Sequence, residues 1–328
     1  MEAKYVKLSE VVATARNTND IVCVNCKHLI DQNDENNVYV YQFNGLKGYT
    51  AKGKCAYMHK ACCEPKRYGR KHVENTTGTP NTTEPRIRKI GLEFEQYSKK
   101  WVYSGNHEKA IENFRYCLLN DEAFARVYVS SLLLGSKKTG HGQESTFDSS
   151  VTTETTVCNF DLCSGSKWLH NMSDEEIAIL ADVRCGAHIH VSSNHCGYNE
   201  TTKAIYEEIL KRINKMGAVD RFWYFGRDFS DFCGNYIGNG GHFACTGNDR
   251  YGAINIQPDT GCTIEFRLAH VRDAEQFIQC CKWWKATVNY INDNIEKVYN
   301  GTWTAERLGK KAANIIDGLY SGRFAKGE

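Results

Sequence analysis

Proline is scarce in this chain: there are four in 328 residues, and three of them fall between positions 65 and 85. That stretch, with ENTTGTPNTTEP at its centre, shows no apolar period and reads as a linker over 65–87. An excess of one charge sign is missing too. With 41 Lys and Arg against 39 Asp and Glu, the net charge is +2, which gives no global attraction to nucleic acid, an acidic partner or a membrane surface. The basic run from Lys66 to His72 reads as a solvated loop. No segment approaches the ~18 apolar residues of a membrane span, and the start MEAKYVKLSE lacks the apolar core of a secretory signal. A cytoplasmic protein is therefore expected. No dinucleotide-type glycine fingerprint, regular βαβ period or internal repeat is present, which argues against a doubly wound fold.

Cysteine is plentiful: the chain has fifteen, an odd number. In a reducing compartment these read as metal ligands or small buried hydrophobes, not as a disulfide framework. Cys23-x-x-Cys26 followed by His59-x-x-Cys62 has the spacing of a tetrahedral Zn²⁺ site. It resembles a treble-clef zinc finger, with Cys55, Cys63 or His28 as possible replacements for one ligand. The same region holds the strand-like run VYVYQF and a turn at Asn44-Gly45, so residues 1–64 are expected to form a small module held folded by Zn²⁺. A second group, Cys233, His242, Cys245 and Cys262, lacks a Cys-x-x-Cys half and reads as packing cysteines around a Gly-rich loop, the stretch 233–252 being expected as loop.

Three segments each place two polar side chains at i and i+2: Glu93 and Glu95 in IGLEFE, His188 and His190 in CGAHIHVS, Glu265 and Arg267 in TIEFRLA. On a strand such residues share one face, while Leu92, Phe94, Ile189, Val191, Ile264, Phe266 and Leu268 take the other. The pattern predicts strands with a packed back and a chemical front. Residues 108–134 read as helical in two pieces around Asn120-Asp121, with Ala110, Ile111, Phe114, Cys117 and Leu118 at helical spacing. Ser173 to Glu176 reads as a capping box. Asn199 caps a helix expected to end at Gly217, and helices are expected over 272–299 and 303–320. Strands separated by helices of uneven length make the class α+β.

The ordered set GLEFE, DSSVTTETT, CGAHIHVS and RYGAINIQPDTGCTIEFRLAH, covering about residues 88–275, resembles the amidoligase family, a branch of the glutamine synthetase and glutamate-cysteine ligase superfamily. The resemblance implies an antiparallel curved sheet backed by helices within a catalytic domain over 88–328. It also implies ATP-dependent condensation of a carboxylate with an amine through an acyl phosphate, with Mg²⁺ as cofactor. Carried over by position, Glu93, His188 and Glu265 would share one metal, and Glu95 and Glu154 another. His190 would contact ATP phosphate, Arg267 would stabilise the transferring phosphoryl group, and Asn255 would touch substrate or nucleotide. Arg227 in YFGRDFSDFC sits where members carry a phosphate-reaching arginine. After Asp148 this chain has Ser149 where the family has glycine, and Thr155 where it has an apolar residue, which leaves Glu144 as an alternative to Glu154. Two other functions fit parts of the pattern: a zinc-finger protein that binds nucleic acid or protein beside a degenerate ligase scaffold, and a two-metal phosphoesterase. Small-molecule or peptide acids and amines are the expected partners, with no membrane.

Overall fold

The computed structural model describes residues 38–42, 55–59, 66–67, 90–102, 107–134, 144–147, 151–195, 199–238, 251–256 and 263–326. The proposed zinc ligands Cys23, Cys26 and Cys62, and the alternatives His28 and Cys63, lie outside these residues, and His59 enters only as the last position of a strand. The chain is α+β, with mixed β-sheet backed by helices. Among the described residues no helix is long and apolar enough to cross a membrane. The chain divides into two compact units.

The first unit holds strands β1 (Val38–Gln42), β2 (Cys55–His59), β3 (Lys66–Arg67), most of β4 (Ile90–Gln96), β5 (Glu144–Phe147) and nearly all of β6 (Thr153–Phe160). The run VYVYQ pairs antiparallel with CAYMH, Val38 opposite His59 and Gln42 opposite Cys55, which is the hairpin expected of the Val/Tyr pattern. The remaining strands follow the order β3-β5-β6-β4. Lys66–Arg67, inside the stretch read as a linker, lies parallel to β5. Two helices, His107–Asn120 and Glu122–Leu133, break at Asp121 as expected, because its carboxylate caps the second helix by accepting from the Phe124 amide at 3.1 Å. Phe114, Phe124 and Tyr128 meet between them with ring centroids 5.2 to 6.1 Å apart. The Ser173 capping box is present in both directions: the Glu176 amide donates to Ser173 Oγ and the Ser173 amide to Glu176 Oε2.

The second unit holds β7 (Ala187–Ser192), β8 (Gly234–Gly238), β9 (Gly252–Asn255) and β10 (Thr263–Phe266), in the order β7-β10-β9-β8. Here the expected all-antiparallel sheet is corrected: β10 runs antiparallel to both neighbours, but β8 runs parallel to β9. The Gly-rich stretch 233–252, expected as loop throughout, holds strand β8 near its start, because its glycines carry no side-chain alternation from which a strand is read. Asn199 caps Glu200–Asn214 as expected, but Gly217, read as that helix's C-terminal stop, has φ −65° and is the N-cap residue of the next helix, Ala218–Phe225.

Behind β10 the 21-residue helix Ala274–Asn294, capped by Asp273, contributes Trp283 and Trp284. Phe266 stacks on Trp284 at 4.9 Å and meets Trp283 and Phe225 edge-on at 5.2 and 5.3 Å. Trp284 Nε1 donates to the Ile264 carbonyl at 3.3 Å. All four rings are fully buried, each contributing on the order of 2–3 kcal/mol. Because Phe266 is fixed in this aromatic wall, its neighbour Glu265 is held on the opposite face of the strand.

Candidate active site

In the second unit three strands bring three of the singled-out residues into one row. Glu265 on β10 lies opposite His190 on β7 and opposite Asn255 on β9. Directly opposed side chains on one face are about 4.5–5.5 Å apart at Cβ, so the carboxylate of Glu265 sits between an imidazole and a carboxamide. Asn255 Nδ2 donates to Glu265 Oε2 at 2.7 Å. Oε1 accepts from Arg267 Nη1 at 2.8 Å and lies 3.4 Å from His188 Nδ1 and 3.9 Å from His190 Nε2. Arg267 Nη1 is itself 3.4 Å from His188 Nδ1, and His190 Nδ1 is 3.4 Å from Thr263 Oγ1.

The chemical front expected from alternation is nearly closed to solvent. Glu265 is 4% exposed, His188 2%, His190 6% and Asn255 1%. Partners in such surroundings interact more strongly than they would in water. The Glu265 charge is buried with a guanidinium partner and a neutral donor, the condition under which a carboxylate is tolerated inside a protein.

Arg227 reaches the same strand from another direction. Gly226 closes the Ala218–Phe225 helix at φ 94°, and a Cβ there would lie 2.2 Å from the His270 carbonyl oxygen, so only glycine makes this turn. The next residue, Arg227, donates through Nη2 to the Arg267 backbone carbonyl. The guanidinium therefore braces the Arg267 backbone. Cys233 is fully buried near Arg227 and Arg267. Burial pushes its thiol up, against the pull of the two arginines, which makes it a packing group and a poor nucleophile.

In the first unit β4 alternates as predicted. Leu92 and Phe94 are fully buried, while Glu93 and Glu95 are half-buried. Glu154 on β6 is 5% exposed, and its carboxylate lies within 4.8 Å of that of Glu93. Thr155, the departure that put Glu154 in question, points the other way. Its Oγ1 accepts from Gln96 Nε2 at 2.9 Å, and Gln96 Nε2 also reaches Ser131 Oγ at 3.2 Å. Gln96 belongs to the buried face of β4, so a polar pair replaces an apolar contact at the back and leaves Glu154 on the side of Glu93. Glu144 lies on β5 opposite Thr156, with its side chain outside the described set. Asp148, His242, Cys245 and Cys262 are also outside it. Sequence reading missed Gln96 and Thr155 as partners, and it assigned Asn255 to ligand contact with no sign of its bond to Glu265.

The donors suit a hard divalent cation. Carboxylate oxygens dominate, and two ligands on one octahedral Mg²⁺ are roughly 3 Å apart given bonds of ~2.1 Å. The 3.4 Å between His188 Nδ1 and Glu265 Oε1 is close to that spacing; in the other unit the Glu93 and Glu154 carboxylates lie within 4.8 Å of each other. No family model and no curated protein matches the chain.

Proposed function

We propose that the chain is an ATP-dependent ligase that joins a carboxylic acid to an amine. The observation that carries this reading is the buried row His190, Glu265 and Asn255, with Arg267 bonded to the same carboxylate. Buried charge is costly to maintain, and a carboxylate, two imidazoles and a guanidinium around one oxygen make sense as machinery for phosphate and its counter-cations. Glu93, Glu95 and Glu154 supply the further carboxylates that such a reaction needs.

In the reaction, an oxygen of the substrate carboxylate attacks the γ-phosphorus of ATP, the bond to the bridging oxygen breaks, and ADP leaves. The resulting acyl phosphate is attacked at its carbonyl carbon by the amine; the C–O bond to phosphate breaks, and the nitrogen loses a proton as the amide forms. Arg267 stabilises charge on the transferring phosphoryl group, and His190 donates to a phosphate oxygen. Glu265, His188, Glu93, Glu95 and Glu154 would hold Mg²⁺, which when bound neutralises phosphate charge and orients the oxygens in line. Asn255 keeps the Glu265 carboxylate in a fixed orientation. Exclusion of water by the buried walls protects the acyl phosphate from hydrolysis.

The test is ADP formation by the purified chain with ATP, Mg²⁺, a panel of free amino acids and dipeptides, and hydroxylamine as a general amine that converts an acyl phosphate to a coloured hydroxamate. Hydroxamate that requires ATP and an acid, and that disappears in Glu265→Gln, supports the ligase. Release of phosphate from a phosphate ester without ATP identifies the two-metal phosphoesterase instead.

A further inference from the structure

We infer that Arg267 is the built-in counter-ion of Glu265 and that a divalent cation displaces it. Arg267 then serves as a coupling device between cation and phosphate, more than as a fixed phosphate ligand. The inference rests on the metal assignment above and concerns the order of events at that site.

Three nitrogens crowd one oxygen. Arg267 Nη1 is 2.8 Å from Glu265 Oε1, His188 Nδ1 is 3.4 Å from it and His190 Nε2 is 3.9 Å from it. The other carboxylate oxygen is held by Asn255 at 2.7 Å, which fixes the rotation of the group and keeps Oε1 turned toward Arg267 and the histidines. A cation taking Oε1 and His188 as ligands would stand where Arg267 Nη1 now stands, since that nitrogen is within 3.4 Å of both. Two positive groups that close, among buried walls, repel strongly. Guanidinium and cation therefore compete for one oxygen.

The backbone of Arg267 stays put during this exchange. Its carbonyl is gripped by Arg227 and its amide donates to the Ala253 carbonyl at 2.9 Å, so only the side chain moves. The side chain is 15% exposed, against 5% for Glu265. The guanidinium carbon lies 5.9 Å from the ring centroid of Tyr251, an aromatic face against which the displaced group can rest. Loading of the cation thus frees a planar five-donor group to meet an anion, and a phosphate-bearing ligand is gripped best after the cation has arrived.

The experiment measures Mn²⁺ binding to the full chain without nucleotide, by calorimetry and by loss of the free Mn²⁺ electron paramagnetic signal. Arg267→Gln removes the competitor and is expected to bind Mn²⁺ roughly tenfold more tightly than wild type. Arg267→Lys keeps a positive charge beside Oε1 and is expected to bind it about as wild type does. Far-UV circular dichroism checks that both variants fold; if Arg267→Gln does not, Arg267→Met removes the same charge, keeps the apolar stem and is expected to bind Mn²⁺ as tightly as Arg267→Gln would. Wild type binding Mn²⁺ with Arg267→Gln no tighter overturns the displacement while leaving the metal assignment standing. Absence of Mn²⁺ binding in wild type and both variants overturns the metal assignment and the inference with it.

Discussion

Asn255 and Glu265 face each other across β9 and β10, and the carboxamide of the first holds Oε2 of the second at 2.7 Å in a site from which water is nearly excluded. Glu265 thus has one oxygen fixed by a neutral donor and the other presented to Arg267 and two histidines. Replacing Asn255 by alanine should leave the carboxylate freer to rotate and cost about 1–3 kcal/mol for the lost buried partner. In the ligase assay the Mg²⁺ concentration needed for half-maximal rate should rise about tenfold, with KM for ATP changed far less at saturating Mg²⁺. A rise confined to KM for ATP would mean that Asn255 touches the nucleotide, as the family resemblance implies.

Gln96 and Thr155 form a second coupled pair. Thr155→Val removes the acceptor but keeps the shape, leaving the Gln96 amide buried with one bond fewer, and should destabilise the chain by about 1–3 kcal/mol in urea unfolding. Adding Gln96→Leu removes the stranded amide and should recover at least half of that loss. If the two substitutions were simply additive, the buried bond between Gln96 and Thr155 would contribute no coupling to stability.

His195 is a titrating group outside the site. It is 3% exposed, with Tyr206 Oη 2.8 Å from Nε2 and Ser193 Oγ 2.9 Å from Nδ1. Burial lowers its pKa from the ordinary 6.5 to about 4. The unfolded chain therefore binds a proton between those values while the folded one does not, and stability is full above pH 6.5 and falls as the pH drops toward 4. The loss from this group reaches roughly 3 kcal/mol. Thermal unfolding of wild type and His195→Gln over pH 4 to 7.5 checks this: the variant should lose the part of the acid slope that lies below pH 6.5.

Much of the fold was legible because its signals are local. The polar couples on β4 and β10, the capping residues Ser173 and Asn199, and the break at Asp121 each declare themselves within a few residues. What was not legible depends on partners far away in sequence. The Gln96 to Thr155 bond spans 59 positions, and nothing near Thr155 marks it as the answer to a buried amide. Glycine concealed β8 for a different reason, since a residue with no side chain shows no alternation. Burial of the His188 and His190 front was hidden as well, because alternation separates the two faces of a strand but does not say what covers either one.

The ligase reading is tested most directly by calorimetric binding of a non-hydrolysable ATP analogue to the full chain, with and without Mg²⁺. Binding should require Mg²⁺ in wild type and fall at least about tenfold in Glu265→Gln. A folded wild-type chain that binds no analogue in the presence of Mg²⁺, or binds it equally well in Glu265→Gln, would contradict the account.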